Sequence, residues 1–229
     1  MKTTVMMCVH GTHRKYLRES ILSVLSQTEP KFKFLVILDG KDDALKDVIM
    51  SYDFDPRLDL KVLKQNLGLT EALNLGMQFV DTPYIMRQDA DDVSMPNRMQ
   101  VLTDWMDTHP RCGAVGDNYA HIDQSGKILH INTADPENAP ESRFNRSGLS
   151  GTVAGGGTML RTNAVNEVGG WRFKRAQDCY LYHALLSHGW SVQSVKHTLY
   201  HWRRHPGQIT DAHRAEQLEC VKQILEIFG

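Results

Sequence analysis

The sequence has little of what would declare an oxidising compartment, a membrane or a polyanionic partner. Its 229 residues hold four cysteines, Cys8, Cys112, Cys179 and Cys220, far apart and with no CxxC pair. That usage argues against a disulfide framework or a structural zinc site and for reduced thiols in the cytosol. No run of about 18 apolar residues occurs, so no transmembrane segment is expected. The apolar stretch Val5–Val9 is too short for a secretory signal core before polar residues from His10 to Lys15 interrupt it. Charge of one sign is missing too. The 26 basic side chains face 27 acidic ones, a formal charge of −1, which provides no broad basic surface for non-specific nucleic-acid binding. Internal repeats and low-complexity tracts are absent. What remains, 41% hydrophobic and 23% charged, is the composition of a globular domain of one α/β core. The expected location is the cytoplasm, free or peripheral at the inner face of a membrane.

What is present is a rhythm. Strand-length apolar runs alternate with helix-period segments four times: Val5–Val9 then Tyr16–Gln27, Phe32–Leu38 then Asp43–Tyr52, Leu60–Leu63 then Leu69–Val80, and Tyr84–Arg87 then Asn97–Thr108. Four such units predict parallel strands joined by right-handed crossovers. After Pro110 the rhythm changes. Ala114–Ile122 and Lys127–Ile131 read as hairpin strands around the turn-rich Asp123–Gly126, and 135–147 as a polar loop with a short helix. Gly155-Gly156-Gly157 precedes an apolar run at Thr158–Leu160. A helix from about Asp178 to His188, strands at Ser191–Val195 and Leu199–Trp202, and an amphipathic helix through Leu218, Val221, Ile224, Leu225 and Phe228 complete the chain.

In an open α/β sheet, ligands sit beyond the carboxyl ends of the strands. The residues there are His10-Gly11-Thr12, Asp39-Gly40, Asn66-Leu67-Gly68 and Asp89-Ala90-Asp91-Asp92. In extended backbone, i and i+2 point the same way, so Asp89 and Asp91 reach one ligand while Asp92 faces elsewhere. Paired carboxylate oxygens suit Mg²⁺ or Mn²⁺, which keep waters and bridge to substrate phosphates. An acidic turn capping the following helix is the alternative. Arg87 is unusual at a buried strand end, and either a phosphate or a neighbouring aspartate is its expected partner.

Taken together, several segments resemble the family-2 inverting glycosyltransferases of the GT-A fold, in that family's order. They are Val9-His10-Gly11-Thr12 with the following helix to Thr28, Val36-Ile37-Leu38-Asp39-Gly40, Asn66-Leu67-Gly68 through Asn74, and Tyr84 through Asp92. Gly155-Gly156-Gly157, Val168-Gly169-Gly170-Trp171, Gln177-Asp178 and Arg203-Arg204-His205-Pro206-Gly207 follow. The resemblance implies an α/β GT-A domain, a mostly parallel central sheet flanked by helices with a small antiparallel element. It covers 1–229 as one domain, with a nucleotide-sugar-binding half at 1–123, an acceptor and catalytic half at 124–205 and a terminal helix at 206–229.

The resemblance also implies roles. Asp39 would accept a hydrogen bond from the nucleotide base, with His10, Thr12 and Asn66 beside it on the donor. Asp89 would contact the ribose or metal-bound water, and Asp91 the metal, Mn²⁺ or Mg²⁺. His205 would complete the metal shell, with His201 a competing candidate. Arg204 and Arg203 would lie near the diphosphate, or form a solvated basic face. Gly156 and Gly157 would line the sugar pocket. Asp178 is the implied general base, an N-terminal helix aspartate being the structural alternative, and Gln177 replaces the glutamate usual before it. Trp171 and Trp202 are read as packing residues first and sugar-stacking rings second. The implied donor is a nucleotide-diphosphate sugar, with a UDP-sugar favoured, and the acceptor a glycan or other hydroxyl-bearing molecule. Nucleic acid is a less favoured partner, suggested only by the pairs Arg143/Arg146 and Arg203/Arg204. A nucleotidyltransferase is disfavoured because no GxG follows the first strand, and an inactive nucleotide-sugar-binding module remains the other alternative.

Overall fold

In the computed structural model of the chain, residues 1–132, 155–208 and 212–229 are described. The loop with a short helix expected at 135–147, and with it Arg143 and Arg146, lies outside them. The first half follows the predicted alternation: β1 (Thr3–Val9), α1 (Arg14–Leu25), β2 (Phe32–Leu38), α2 (Asp43–Met50), β3 (Leu58–Val62), α3 (Leu69–Met77), β4 (Tyr84–Asp89), a two-residue β5 (Val93–Ser94) and α4 (Arg98–Thr108). Strands β1, β2 and β4 are buried almost throughout, which is why they read as unbroken apolar runs rather than alternating ones. β3 is half-exposed because it forms the sheet edge.

The second half contains β6 (Cys112–Ile122), β7 (Ile128–Asn132), a 3₁₀ turn at Gly155–Gly157, β8 (Met159–Arg161), α5 (Thr162–Glu167), α6 (Gln177–Ser187), β9 (Ser191–Arg203) and α7 (Arg214–Phe228). The strand order is β3-β2-β1-β4-β8-β6-β9-β5, with β7 paired to β6. β1 pairs in parallel with β2 and β4, and β2 with β3. Antiparallel β8 joins the two halves by bridging β4 and β6. The hairpin expected at Asp123–Gly126 forms, with Asp123 Oδ1 accepting from the Ser125 and Lys127 backbone N–H groups.

Two expectations change. Ser191–Val195 and Leu199–Trp202 belong to one strand, β9, parallel to β6. The polar Lys196-His197-Thr198 that suggested a break passes through register shifts around Asn118, which leave Lys196 and His197 exposed without ending the ladder. β5 and α5 were not foreseen, being too short to show a period.

Apolar side chains fill both faces of the sheet. One core packs α1, α2 and α4 (Leu17, Ile21, Val48, Met99, Leu102) against Val5, Met7 and Phe34. The other packs α3, α5, α6 and α7 (Leu73, Val165, Leu181, Leu185, Ile224) against Met6, Leu35 and Ile85. The strand period of two sends neighbouring residues of β1 to opposite cores. The carboxyl ends of β1, β2 and β4 are thereby fixed side by side.

Candidate active site

A cleft of about 1350 Å³ opens over those strand ends. It is lined by His10, Thr12, Asp39, Asn66, Asp89, Asp91, Gly156, Gln177, Asp178 and His205, all singled out in the sequence. Gly157, Arg87 and Arg204 are not part of the lining.

At one end, β1, β2 and the turn before α3 are tied by hydrogen bonds. Asp39, 2% exposed, accepts from Leu67 N at 2.8 Å through Oδ1 and from Gly68 N at 2.9 Å through Oδ2. It thus caps α3, whose N-cap position is Gly68 and offers no side chain. His10 Nδ1 lies 2.9 Å from the Asp39 carbonyl oxygen, which can only accept, so this nitrogen carries the proton. His10 Nε2 then accepts from Asn66 Nδ2 at 2.8 Å. Asn66 Oδ1 in turn accepts from Gly68 N. Thr12 stands beside them, its hydroxyl 3.4 Å from the His10 carbonyl.

The other end is acidic. Asp89 ends β4, and Asp178 sits in the first turn of α6, where the helix dipole favours an anion. Between them lies Arg87, 1% exposed. Its Nη2 donates to Asp89 Oδ1 at 3.0 Å, and its Nη1 is 3.6 Å from Asp178 Oδ1. Arg87 therefore lies beneath the cleft and not on its surface. Its side chain pairs with two aspartates, the second of its two expected kinds of partner, and the first, a substrate phosphate, is not within its reach from beneath the lining. Burial pushes the Asp89 carboxyl up to about 6, opposed by Arg87 and reinforced by Asp91 and Asp178. Burial also raises Asp178, with Arg87 and then the Trp171 indole holding it down. Gln177 Nε2 reaches Asp178 Oδ2 at 3.5 Å. Gly156 packs against the Asp89 carboxylate. A Cβ there would stand 2.1 Å from Asp89 Oδ2 and 2.9 Å from the Tyr200 hydroxyl, so only glycine leaves Asp89 its place.

Asp91 faces His205, with Oδ2 and Nε2 2.9 Å apart. The His205 Nδ1 proton is committed to the Pro206 carbonyl at 3.0 Å. Nε2 and the Asp91 carboxylate therefore share a hydrogen bond, and a divalent cation bound by both groups would take the place of that proton. Among the described residues no group of three or more His, Cys, Asp or Glu side chains converges as a metal cage. Two protein ligands are what a divalent ion that keeps waters and binds phosphates requires, so Asp91 and His205 fit Mn²⁺ or Mg²⁺.

Several residues holding this end were missed in the sequence. Asp92, 2% exposed, accepts from the Tyr200 hydroxyl at 2.8 Å and from Arg203 N at 2.8 Å. The Arg203 side chain donates to the Asp91 carbonyl at 2.8 Å and to Glu19 Oε2 at 2.5 Å. It is fully buried, which corrects its expected place near a diphosphate. Arg204 lies over the Trp202 ring, 5.6 Å from its centroid, and is not itself part of the cleft lining. Below, Arg98 pairs with Asp117 at 3.1 Å and donates to the Arg87 carbonyl. An arginine closing an apolar strand, Arg203 directly after Trp202, was the available signal. His201 lies outside the lining, Trp202 inside it, and Trp171 is 1% exposed.

Comparison with known proteins places these residues in context. A family model described as glycosyl transferase family 2 matches residues 4–169. An uncharacterized glycosyltransferase from Haemophilus influenzae is 24% identical over 238 residues, covering 99% of this chain and 85% of that one. Two further curated relatives are longer, and the chain spans 44% and 38% of their lengths. Among solved structures, residues 1–349 of S. aureus TarS in complex with UDP superpose with a TM-score of 0.69 at 17% identity, covering 100% of this chain and 70% of that one. The mannosyltransferase PcManGT from Pyrobaculum calidifontis, in complex with GDP-Man and Mn²⁺, gives 0.72 at 15% identity, covering 94% and 60%. The fold is therefore that of the GT-A glycosyltransferases.

Proposed function

The chain belongs to glycosyl transferase family 2, and from that membership we propose metal-dependent, inverting transfer of a sugar from a nucleotide-diphosphate donor to an acceptor hydroxyl, with Asp178 as general base. The observation that carries this reading is the convergence of Asp89, Asp91 and Asp178 on one cleft, with Arg87 joining the first to the last.

The donor nucleotide occupies the end built by His10, Asp39 and Asn66. Asp39 spends one interaction of each oxygen on the α3 turn, and the remaining lone pairs accept from a base N–H such as that of uracil. Asp91 and His205 would hold a divalent cation, and its charge would offset that of the departing diphosphate. Asp178 takes the proton of the acceptor hydroxyl as the new bond from that oxygen to the anomeric carbon forms. The bond from that carbon to the phosphate oxygen breaks, and the diphosphate leaves with the electron pair. A carboxylate whose basicity is raised by burial is suited to that task, and Arg87 keeps it ionised and in place. UDP is the favoured nucleotide, supported by the UDP complex of the TarS structure.

The first test is thermal denaturation with UDP and Mn²⁺. Stabilisation by the two together, beyond the sum of either alone, is the expected outcome. No shift with both present sinks the donor-site reading.

A further inference from the structure

The cleft has a third charged region that neither donor nor metal uses. Residues 171–176 connect α5 to α6, and Arg172, Lys174 and Arg175 all line the cleft. Arg175 Nε is 3.4 Å from Glu216 Oε2 on α7. Arg172 and Lys174 are exposed and form no ion pair among the described residues. Arg172 lies over the Tyr180 ring, 5.5 Å from its centroid, with Nη2 close by Gly169. Arg172 and Lys174 thus stand at the rim of a cleft whose floor is acidic, Lys174 sharing the field of Glu216 with Arg175 but in contact with no carboxylate among the described residues, on the segment that leads directly into Asp178.

This segment is held in position. Asn74 clamps it with two bonds, Nδ2 to the Trp171 carbonyl and Trp171 N to Oδ1, both at 2.9 Å. Thr70 Oγ1 donates to the Phe173 carbonyl at 2.6 Å. A Cβ at Gly170 would stand 2.5 Å from Asn74 Oδ1, so the clamp requires glycine. Phe173 and Ala176 take left-handed backbone angles, φ 69° and 55°, that side chains rarely adopt. Arg172 and Lys174 are therefore presented from a fixed backbone, with less ordering left for a ligand to impose.

We propose that the acceptor is anionic, carrying a phosphate or carboxylate close to its reacting hydroxyl, and that Arg172 and Lys174 seat that group beside Asp178. This rests on the glycosyl-transfer reading and adds the acceptor's chemical class. Cations at this rim attract an oxyanion into a cleft that otherwise repels it, and Arg adds directional hydrogen bonds that Lys does not.

The test uses the full chain loaded with UDP and Mn²⁺, titrated by NMR with glycerol 3-phosphate and with glucuronate as separate arms. Glycerol and glucose are the neutral counterparts. At least one anionic probe is expected to bind, and the arm that responds identifies phosphate or carboxylate as the group. In the Arg172→Ala/Lys174→Ala variant that binding weakens tenfold or more, and UDP·Mn²⁺ affinity stays within twofold. Lys174→Glu, a single exposed change that spares the fold, weakens it further than Lys174→Ala. The proposal is overturned if no anionic probe binds, if neutral probes bind as well, or if the double variant binds anions unchanged. It is equally overturned if the double variant loses UDP·Mn²⁺ affinity, because the cations then serve the donor. If the wild type itself fails to bind UDP·Mn²⁺, the donor reading fails separately, and titrating the anionic probes into the unloaded protein still reads the rim.

Discussion

The two ends of the cleft are built on opposite terms. At the His10–Asp39–Asn66 end, each of the three side chains has a hydrogen-bond partner, and the network closes through backbone N–H and C=O groups. At the Asp89–Arg87–Asp178 end, a buried guanidinium and two carboxylates opening on the cleft compensate one another incompletely. Arg87 Nε and Nη1 lack hydrogen-bond partners, and both carboxyls are pushed up. The first arrangement is rigid and electrically quiet, as recognition of a fixed shape requires. The second keeps unspent electrostatic energy where charge must move. The same sheet edge thus carries a finished surface and a poised one.

Four changes sharpen or break this contrast. The largest effect is expected of Asp178→Asn, which removes the proton acceptor. Transfer falls by about a hundredfold to ten-thousandfold in a turnover assay, and near-normal turnover would show the base assignment to be wrong. Arg87→Met comes next. It leaves two carboxylates without their cation and costs about 2–4 kcal/mol at neutral pH in denaturant titration, below a fully enclosed pair because both acids open on the cleft. Protonation of those acids relieves the repulsion, so the deficit shrinks as pH falls toward 4. A deficit independent of pH contradicts the electrostatic account.

A third change probes the support beneath. Burial lifts Asp117, 1% exposed at its side chain, to about 6 from an ordinary 3.8, with Arg98 opposing. A raised carboxyl favours the fold while protonated. Its contribution is complete below about pH 4 and is lost as pH rises through about 6. Asp117→Asn escapes that loss, so its stability relative to wild type rises by up to about 3 kcal/mol from pH 4 to 7. A flat difference refutes the shift. The smallest effect belongs to the quiet end. His10→Ala frees two hydrogen bonds that water can replace at an exposed position, and donor affinity drops about fivefold, near 1 kcal/mol. A collapse of turnover without loss of donor affinity would place His10 in the chemistry instead.

The same contrast governs what the sequence discloses. The convergence of the quiet end and of Asp91 with His205 on one cleft was legible because each residue follows its own strand, as Asp39 and Asn66 do, or lies in a segment of the family resemblance. Parallel strands put such residues at one edge by topology alone. Asp178 was singled out through the family resemblance of Gln177-Asp178, and the fold brings it to the cleft. The roles of Arg98 and Arg203 were not legible, since they depend on Asp117 and Glu19, and for Arg87 the near partner Asp89 was expected while the distant one, Asp178, was not. No local period encodes a buried ion pair. β9 was misread as two strands for a related reason. Its polar middle is tolerated by slippage against β6, a property of the pair and not of the strand. The short β5 and α5 are likewise set by tertiary pairing and packing.

The central claim is that donor binding and proton removal are separate tasks of one cleft, the first resting on Asp91 and His205 with a metal, the second on Asp178. Calorimetric titration of UDP with Mn²⁺ into Asp91→Ala and Asp178→Asn, alongside a transfer assay on both, tests it most directly. The account predicts that Asp91→Ala loses the metal-dependent affinity, and that Asp178→Asn retains it within about twofold while losing transfer. Loss of UDP·Mn²⁺ affinity in Asp178→Asn, or its retention in Asp91→Ala, would contradict it.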